Sequence, residues 1–467
     1  MFASQSFRDL FGTKRILWQH VFGYYCMGLD RFCPIGAVAS VDFGREYRWI
    51  EERTAIRMFS VEAGGDQRPK PREGDVERII PELKPQLLEV MRREGGMWSL
   101  VCPLPNARLS ALALELGCES ACPRAEVGNW LYNKVNFFSG LELLRLPRLP
   151  GRWLTPPELR YAELRADMGA RLVLQKALGG GGEGTVFVAS EQDLLAAASF
   201  IGSDPVWVTP EIKGPSVNLN AIVLDRHVVV GSPNIQLVGL GMLQCRPGMY
   251  CGNDYTSAAG LGPAILADVR QQAERIGGWL ATLGYRGLFG LDFVIDTSSS
   301  RAYAVDLNPR WQGSTAVGAQ AETRAGRLPL AAAEIAWRLG VLGDEDIARQ
   351  ADQFFEPLKA SQMSLRLNRE GWKLVTGALE PGVYSSAPQA TFLRPGIELD
   401  DLKEPGEVLV TGAVPPPGCR LGPECYPLRV YAEQPVIELA SGQPLPWARQ
   451  FATAMYEALR LAPSRAD

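Results

Sequence analysis

The sequence predicts a mixed α/β and α+β fold with a Rossmann-like N-terminal lobe, a two-lobed central region and a small β-rich C-terminal domain. With 467 residues, the chain is too long for a single hydrophobic core. Strands alternate with helices up to about residue 125, a glycine-rich loop then joins two strands, and short strands with prolines follow residue 351. We therefore expect domains at 1–125, 126–350 and 351–467, the central one divided near residue 203.

Composition excludes several functional classes. A net charge of −4 without a long basic run gives no attraction for nucleic acid or an anionic membrane. The apolar run at 16–29 is interrupted by polar residues, is too short to span a bilayer, and lacks the cleavage site of a signal peptide. Nine scattered cysteines favour reduced thiols over a disulfide framework, and with only two histidines they favour no zinc site. We expect a cytoplasmic protein.

The N-terminal lobe shows the alternation of an α/β sheet. Segments 36–43, 55–62 and 96–104 are rich in strand-forming residues, whereas 76–94 and 106–116 have helical spacing. Strands that alternate with helices favour a parallel sheet. No residue in this lobe points to a particular ligand.

The second region contains a glycine loop between two strands. Strand 171–176 leads into Ala-Leu-Gly-Gly-Gly-Gly-Glu-Gly at 177–184, called here the glycine flap, and strand 185–188 follows. A Rossmann site would need a helix after the G-x-G-x-x-G at Gly179, Gly181 and Gly184, so the sequence does not support dinucleotide binding. The backbone N–H groups of such a flap can close on phosphates, and Lys176 adds a cation.

Two other phosphate-binding signatures can be set aside. A protein kinase would require a lysine on the strand after the flap and an H-R-D motif, and this sequence has neither. Its D-F-G triplet at 42–44 precedes the flap, whereas the D-F-G of a kinase follows the glycine loop. The sequence also lacks the P-loop motif. The remaining alternative is that the flap is a mobile linker and Lys176 an ordinary surface lysine.

The segment 286–315 predicts a β-hairpin that carries a metal site. Strands 290–295 and 301–307 flank the turn-forming Asp-Thr-Ser-Ser-Ser at 296–300, which places Asp292 opposite Asp306, with Asn308 on the same face. Opposed carboxylates about 5 Å apart repel unless a cation neutralises them. Mg²⁺ prefers one or two carboxylates together with phosphate oxygens. The alternative is that Asp306 and Asn308 only end an edge strand.

At this point the sequence resembles the ATP-grasp superfamily. The motifs that carry the resemblance occur in the expected order: Asn133-Lys134, Lys176 with the glycine flap, I-x-G at 212–214, L-D-F-V at 291–294 and D-L-N-P-R at 306–310. The resemblance covers about residues 126–340. It implies an ATP-grasp fold with a pre-ATP-grasp lobe in front of it.

The resemblance also implies roles for individual residues. Two lysines contact nucleotide phosphates, the flap covers them, the hinge holds adenine, Mg²⁺ or alternatively Mn²⁺ is bound by the hairpin, and an arginine approaches the transferred phosphate. The matching positions are Lys134 and Lys176; Gly181, Gly182 and Gly184; Glu211 and Ile212; Asp292, Asp306 and Asn308; and Arg310. Lys176 and Arg310 are the implied catalytic residues. A structural alternative pairs Arg310 with Glu322.

The chain departs from the family pattern at three positions. Asp306 stands where glutamate is usual, and Pro210 stands where the hinge usually begins with glutamate. Ser216 occupies the position of the acidic residue that commonly binds the ribose hydroxyls, so we place it at the nucleotide site. These differences leave ATP as the expected nucleotide, with GTP or a weakened nucleotide site as the alternatives.

The function implied is an ATP-dependent carboxylate–amine ligase that forms an amide or peptide bond through an acyl phosphate. Phosphoryl transfer needs placed cations and N–H donors and no protein nucleophile. The expected partners are a carboxylic acid and an amine, including amino acids or peptides, with a homodimer as one expected assembly. The domain order is similar to that of pheganomycin-type peptide ligases of natural-product pathways. An ATP-grasp carboxylase, a small-molecule kinase and a non-catalytic nucleotide-binding module remain alternatives.

Overall fold

The structure is a computed structural model that describes residues 4–63, 65–70, 72–368, 370–386 and 389–464. Within these ranges no helix is both long enough and apolar enough to cross a membrane. All nine cysteines are free thiols.

The N-terminal lobe is built on a parallel sheet, as predicted. Its elements are α1 (Ser4–Asp9), β1 (Lys14–His20), β2 (Ile35–Ser40), α2 (Tyr47–Thr54), β3 (Arg57–Ser60), β4 (Gln67–Arg68), α3 (Val76–Glu94), β5 (Met97–Val101), α4 (Leu109–Leu116) and β6 (Glu119–Ser120). The strand order β3-β2-β1-β5-β6 has parallel neighbours throughout. The central strand β1 was not among the predicted strands. Since Ile16, Leu17 and Trp18 are all buried, β1 lacks the alternation that marks a half-exposed strand.

The next lobe carries the glycine flap. Its elements are α5 (Ala125–Leu131), α6 (Lys134–Leu143), β7 (Arg152–Leu154), α7 (Tyr161–Met168), β8 (Leu172–Lys176), β9 (Thr185–Val188), α8 (Glu191–Ile201) and β10 (Val206–Pro210). Strands β8 and β9 pair antiparallel on either side of the flap, and the sheet order is β7-β10-β8-β9. The strand, flap and strand predicted from the sequence are therefore present.

The lobe that follows contains the predicted hairpin. Its elements are β11 (Ser216–Val223), β12 (Val228–Val230), β13 (Asn234–Val238), β14 (Tyr250–Asp254), α9 (Tyr255–Ala258), α10 (Pro263–Thr282), β15 (Gly287–Asp296), β16 (Arg301–Asn308), α11 (Gly313–Arg324), α12 (Leu330–Arg338), α13 (Asp344–Ala348) and α14 (Ala351–Phe355). Helix α10 begins with Pro263 in its first turn, where a missing N–H costs nothing. It packs across β11 and β16 and so supports the hairpin from behind.

The C-terminal part consists of short strands and one long helix. Its elements are β17 (Ser361–Ser364), β18 (Lys373–Val375), β19 (Gly382–Ser385), β20 (Thr391–Arg394), β21 (Glu407–Thr411), β22 (Arg420–Leu421), β23 (Arg429–Ala432), α15 (Pro446–Leu459) and β24 (Leu461–Pro463). Strand β17 pairs with β14, so one sheet runs β16-β15-β11-β13-β14-β17-β23-β21-β19-β20. The division at residue 351 stays a proposal, because the C-terminal strands extend the central sheet.

The N-terminal lobe also packs directly on the C-terminal part. Strand β4 joins the sheet β24-β18-β22-β4. The buried carboxylate of Glu46 accepts backbone N–H groups from Ala413 and Val414, and Arg68 donates to the carbonyl of Ala413 at 2.5 Å. These contacts hold β4 and the segment before α2 against the loop after β21.

Candidate active site

One cavity of about 1700 Å³ lies between the glycine flap, the hairpin, the loop after β1 and the C-terminal strands. The predicted site residues that line it are Gly181, Gly182, Glu211, Ile212, Ser216, Asp292, Asp306, Asn308 and Arg310. Ordinary small-molecule sites occupy roughly 300 to 1000 Å³. This cavity therefore has room for a nucleotide and a second substrate together.

The hairpin places its acidic residues as the sequence predicted. Asp292 lies opposite Asp306 and Gly290 opposite Asn308 in the antiparallel pair β15 and β16. The register shifts between Asp292 and Phe293, and such an irregularity changes the direction of the side chains beside it. Two carboxylates and an amide thus converge on the cavity.

An ion pair and hydrogen bonds partly offset the repulsion between the two carboxylates. Lys134, which is buried, forms an ion pair with Asp306 through its ammonium group. Burial, together with the charge of Asp306, raises the pKa of Asp292 to about 6, although hydrogen bonds from Asn218 and Gln236 oppose the shift. Since a buried carboxylate next to another is costly to ionise, this pair favours an additional cation.

The donor set fits a hard divalent cation. Asp292, Asp306 and Asn308 offer carboxylate and amide oxygens, which Mg²⁺ or Mn²⁺ binds in preference to softer donors. Among the described residues, no group of three or more His, Cys, Asp or Glu side chains could hold a metal on its own. The hairpin set therefore corresponds to a site that is completed by other oxygen ligands, such as those of phosphate.

A network of buried amide side chains supports Asp292, and sequence analysis assigned it no role. Asn218 donates to Asp292, and its carbonyl oxygen accepts from Asn234 at 3.1 Å. Asn253 donates to Asn234 at 2.7 Å, and the Tyr250 hydroxyl donates to Asn253 at 2.5 Å. The network runs from the carboxylate of Asp292 to Tyr250 at the start of β14.

A signal for this network exists in the sequence but needs strand pairing to be read. Asn218 lies opposite both Asn234 and Asp292 once β11 is placed between β13 and β15. The sequence shows only polar positions within apolar strands at 217–224, 233–236 and 250–255. Because the sequence does not give the strand order, it does not show that these polar side chains form one network.

The glycine flap is closed against the turn before β14. The backbone N–H of Tyr250 donates to the carbonyl of Gly181 at 3.1 Å. A side chain at Gly182 would place its Cβ only 1.9 Å from the carbonyl oxygen of Gly248, and the residue has a φ of +83°. Both the close approach and the backbone conformation therefore require glycine at this position. Tyr250 connects the flap contact to the amide network.

Charged residues from distant parts of the chain hold the tip of the flap. The ammonium of Lys70, in the loop after β4, pairs with Glu183 in the flap and lies 3.4 Å from a carboxylate oxygen of Glu424. Arg246 lies 3.8 Å from the other carboxylate oxygen of Glu424. The closed flap is thus tied to both the N-terminal lobe and the C-terminal part.

Replacing Lys70 by alanine should loosen the flap. Because Glu183 loses its partner, we expect faster amide hydrogen exchange in residues 177–184 and a few-fold rise in the KM for ATP, with kcat changed less. Lys84→Ala, which removes an exposed ion pair on α3, is the matched control. Exchange in the flap that is the same in both variants would show that the Lys70 contact does not restrain it.

Lys176 is not among the residues that line the cavity, and its side chain lies against an aromatic ring that does. Its ammonium sits over the ring of Phe200, 4.6 Å from the centroid, and Phe200 lines the cavity. The backbone of Lys176 also donates to the carbonyl of Gly184 at 2.9 Å, which closes the base of the flap. The phosphate-binding roles of Lys134, Lys176 and the flap glycines stay predictions.

The hinge residues meet the hairpin at the other end of the cavity. The Glu211 carboxylate pairs with Arg171, with 3.0 Å between Oε1 and Nη2. A side chain at Gly214 would put its Cβ 1.8 Å from the carbonyl oxygen of Ile295, so the backbone approach there requires glycine. Ser216 lies opposite Val294 at the start of β11. The adenine and ribose roles of Glu211, Ile212 and Ser216 stay predictions.

Arg310 projects between the hairpin and the flap. Its guanidinium donates to the carbonyl of Trp311 at 2.8 Å and lies 6.0 Å from the centroid of the Tyr132 ring. A Cβ built on Gly180 would be 3.6 Å from Nη2, so the arginine faces the flap. The position agrees with the expected role beside a transferred phosphate, which stays a prediction.

The cavity extends to residues that the sequence analysis did not name. These are His20, Phe22 and Tyr25 after β1, and Arg366, Tyr426 and Arg429 from the C-terminal part. The loop after β1 lies at the carboxyl end of a central parallel strand, the usual position of ligand sites in α/β sheets. The aromatic sequence Phe-Gly-Tyr-Tyr at 22–25 is the signal that could have been recognised there.

Comparison with known proteins supports the same architecture. Residues 134–314 match the family model described as an ATP-grasp domain. A curated relative from Niallia circulans, "[Butirosin acyl-carrier protein]--L-glutamate ligase", is 23% identical over 154 residues. That match spans 33% of this chain and only 36% of the relative.

Solved structures resemble the chain over most of its length. The biotin carboxylase domain of a single-chain bacterial carboxylase is 14% identical with a TM-score of 0.57, and the match covers 91% of this chain and 85% of that one. The biotin carboxylase domain of Hydrogenobacter thermophilus 2-oxoglutarate carboxylase is 13% identical with a TM-score of 0.55, covering 90% and 86%. At these identities the likeness concerns the fold alone, and it confirms the predicted fold class.

Proposed function

We propose that this chain, whose residues 134–314 match the family model of an ATP-grasp domain, is an ADP-forming ligase that joins a carboxylate to an amine. The observation that carries the proposal is the convergence of Asp292, Asp306, Asn308 and Arg310 under a closed glycine flap, in a cavity with room for two ligands. Phosphoryl transfer depends on such placed charges and N–H donors.

The proposed reaction has two steps. A carboxylate oxygen of the acid attacks the γ-phosphorus of ATP, the bond to the β-phosphate bridging oxygen breaks, and ADP leaves. The amine then attacks the acyl carbon, inorganic phosphate leaves, and the amine nitrogen loses a proton as the amide forms. Arg310 would stabilise the charge that develops on the transferred group. The closed flap would exclude water that hydrolyses the acyl phosphate.

The metal has one role in this scheme. When bound, Mg²⁺ or Mn²⁺ would neutralise charge on the phosphate oxygens and orient them. Asp292, Asp306 and Asn308 would hold it, while Lys134 balances the charge of Asp306. The amide network through Asn218 would fix the orientation of the Asp292 carboxylate.

The nature of the acid and the amine is the finer part of the proposal. The Niallia circulans relative is named for an acyl-carrier protein and L-glutamate, which supports a carboxylate and an amino acid as substrate classes here. We extend this to amino acid or peptide substrates in natural-product pathways of the pheganomycin type. A homodimer is the assembly that we propose.

The test is an ADP-release assay on the full chain with a matrix of carboxylic acids and amines. Turnover that requires both partners, with hydroxylamine trapping an acyl hydroxamate when the amine is left out, would support the ligase. Incorporation of labelled bicarbonate would indicate a carboxylase, and a stable phosphorylated product would indicate a kinase. Nucleotide binding without multiple turnover would leave only a binding module.

Lys176→Met should weaken ATP binding about tenfold or more. The methionine keeps the apolar stem against Phe200 but removes a cation beside the flap, and charge-assisted contacts of this kind contribute about 1.5 to 3 kcal/mol. Calorimetric titration with ATP measures the effect, and Lys84→Met on the exposed face of α3 is the control. Unchanged affinity would show that Lys176 is an ordinary surface residue.

A further inference from the structure

Two buried arginines line the end of the cavity where the N-terminal lobe meets the C-terminal strands. The residues are Arg366, 3% exposed, and Arg429, 2% exposed. Arg429 lies opposite Ser364 in the pairing of β17 with β23, and Arg366 follows two residues after Ser364. The pairing of these strands therefore brings the two guanidinium groups to one wall of the cavity.

Neither guanidinium has an acidic partner within the part of the chain that the structure describes. Arg429 donates through Nη1 to the carbonyl of Gly412 at 3.4 Å, and its Nε has no partner. Arg366 donates through Nη2 to the hydroxyl of Tyr426, whereas Nε and Nη1 have none. Buried cations without counter-charges are costly, and proteins normally pair them.

Aromatic rings surround Arg429 but leave its charge uncompensated. The guanidinium carbon lies 4.3 Å from the ring centroid of Phe22, 4.8 Å from that of Tyr24 and 5.3 Å from that of Tyr426. Cation–π contacts of this kind stabilise a cation and hold the plane of the guanidinium, while its N–H groups still need acceptors. The rings therefore position Arg429 as a rigid donor.

His20 adds a neutral donor next to the arginines. Its Nδ1 accepts the backbone N–H of Phe22 at 3.0 Å, so the neutral ring carries its proton on Nε2. Burial, together with the charges of Arg310 and Arg429, lowers the pKa of His20 to about 3, although the hydrogen bond with the backbone of Phe22 opposes the shift. The histidine is therefore neutral at physiological pH, and it lies close enough to Arg310 and Arg429 for their charges to act on it.

We propose that Arg366 and Arg429 form a subsite for a substrate carboxylate other than the one that is activated. We call the site formed by Arg366, Arg429 and His20 the carboxylate subsite. Its two guanidinium groups and the N–H of His20 favour a planar anion that accepts hydrogen bonds, such as a carboxylate. Its identity as a substrate site rests on the proposed function, which places the phosphoryl group that the reacting carboxylate receives beside Arg310. The bound group is the second carboxylate of a diacid, or the carboxylate of an amino acid that supplies the amine.

The test is calorimetric binding to the full chain without nucleotide. The probes are the diacids from malonate to adipate with their monoamides, and the ω-amino acids from glycine to 5-aminopentanoate with their amides. At least one diacid or amino acid should bind, and its amide should bind about tenfold or more weakly. The series that binds identifies the source of the carboxylate. Failure of every acid to bind, or equal binding of acid and amide, would overturn the subsite.

The variant Arg429→Gln should lower the affinity of the bound acid tenfold or more, with ATP affinity changed less than twofold. Arg301→Gln, an exposed arginine on the hairpin, is the matched control. Should Arg429→Gln lose its native circular dichroism, Arg366→Gln carries the same expectation. Unchanged affinity for the acid contradicts the proposal, and so does a large loss of ATP affinity, because the arginines would then bind nucleotide phosphates.

Activity measurements separate this inference from the proposed function. If hydroxamate forms and the KM for the acid and the amine is unchanged in both variants, the ligase stands and the subsite is wrong. If the wild type shows no ligase activity but its binding of the acid depends on Arg429 and Arg366, the subsite stands and the proposed function is wrong. Each result therefore decides one of the two proposals.

Discussion

Asp306→Asn is expected to lower metal-dependent turnover by at least about 10³-fold, because a charged ligand of a catalytic cation supports several kcal/mol of transition-state stabilisation. Asparagine has nearly the same volume and keeps one oxygen, so it removes charge while changing packing little. Steady-state ADP release at varied Mg²⁺ concentration measures the loss. The same variant should also bind ATP with a weaker dependence on Mg²⁺ in calorimetric titrations.

Because Asp306 pairs with Lys134, the Asp306→Asn substitution should also lower the stability of the fold, which the sequence did not indicate. Lys134 is buried, and its ammonium pairs with Asp306, so the asparagine variant leaves a cation facing only Asp292. We therefore expect a modest fall in melting temperature together with the loss of turnover. Circular dichroism and thermal unfolding measure this component separately.

Asp296→Asn is the matched control for Asp306→Asn. Asp296 lies on the same hairpin but caps the exposed turn through Ser298 and Ser299, far from the metal-binding face. It should lower the melting temperature slightly and leave the metal dependence intact. If Asp306→Asn behaved in the same way, Asp306 would only terminate an edge strand.

The parts of the site that could be predicted are those encoded within short segments. The turn at 296–300 fixes the register of the hairpin, so Asp292 and Asp306 could be placed opposite each other from the sequence, and the structure has that pair. The glycine flap was recognisable because glycines between two strands leave few other conformations. In both cases the relevant contacts lie within about 20 residues.

The parts that could not be predicted depend on pairing between distant segments. Arg366 and Arg429 become neighbours through the pairing of β17 with β23, and Arg429 meets the ring of Phe22, which follows β1. Lys70 reaches Glu183 across 113 residues of sequence. Periodicity and turn chemistry carry no information on such contacts, so the pair of buried arginines and the closed flap appear only in the structure.

Arg310→Lys is expected to reduce kcat about 10²-fold or more, with a smaller change in ATP affinity. Lysine keeps the positive charge but loses the planar fork that can hold two phosphate oxygens, and contacts realised mainly in the transition state affect kcat more than binding. The guanidinium of Arg310 donates to the Trp311 carbonyl and faces the flap. The single ammonium of a lysine could not make both of these contacts in the same geometry. Single-turnover measurement of acyl hydroxamate formation isolates this step from product release.

The structural alternative for Arg310 is an ion pair with Glu322. Glu322 accepts the backbone N–H of Leu330 at 3.1 Å. Burial raises the pKa of Glu322 to about 8, and the positive charge that opposes this rise is that of Arg327. Arg301→Lys, at an exposed position on the same hairpin, should leave both kcat and melting temperature near wild type. If Arg310→Lys kept wild-type turnover and only melted earlier, Arg310 would be a structural residue, and stabilisation of the transferred phosphate would have to come from Lys134, Lys176 and the flap.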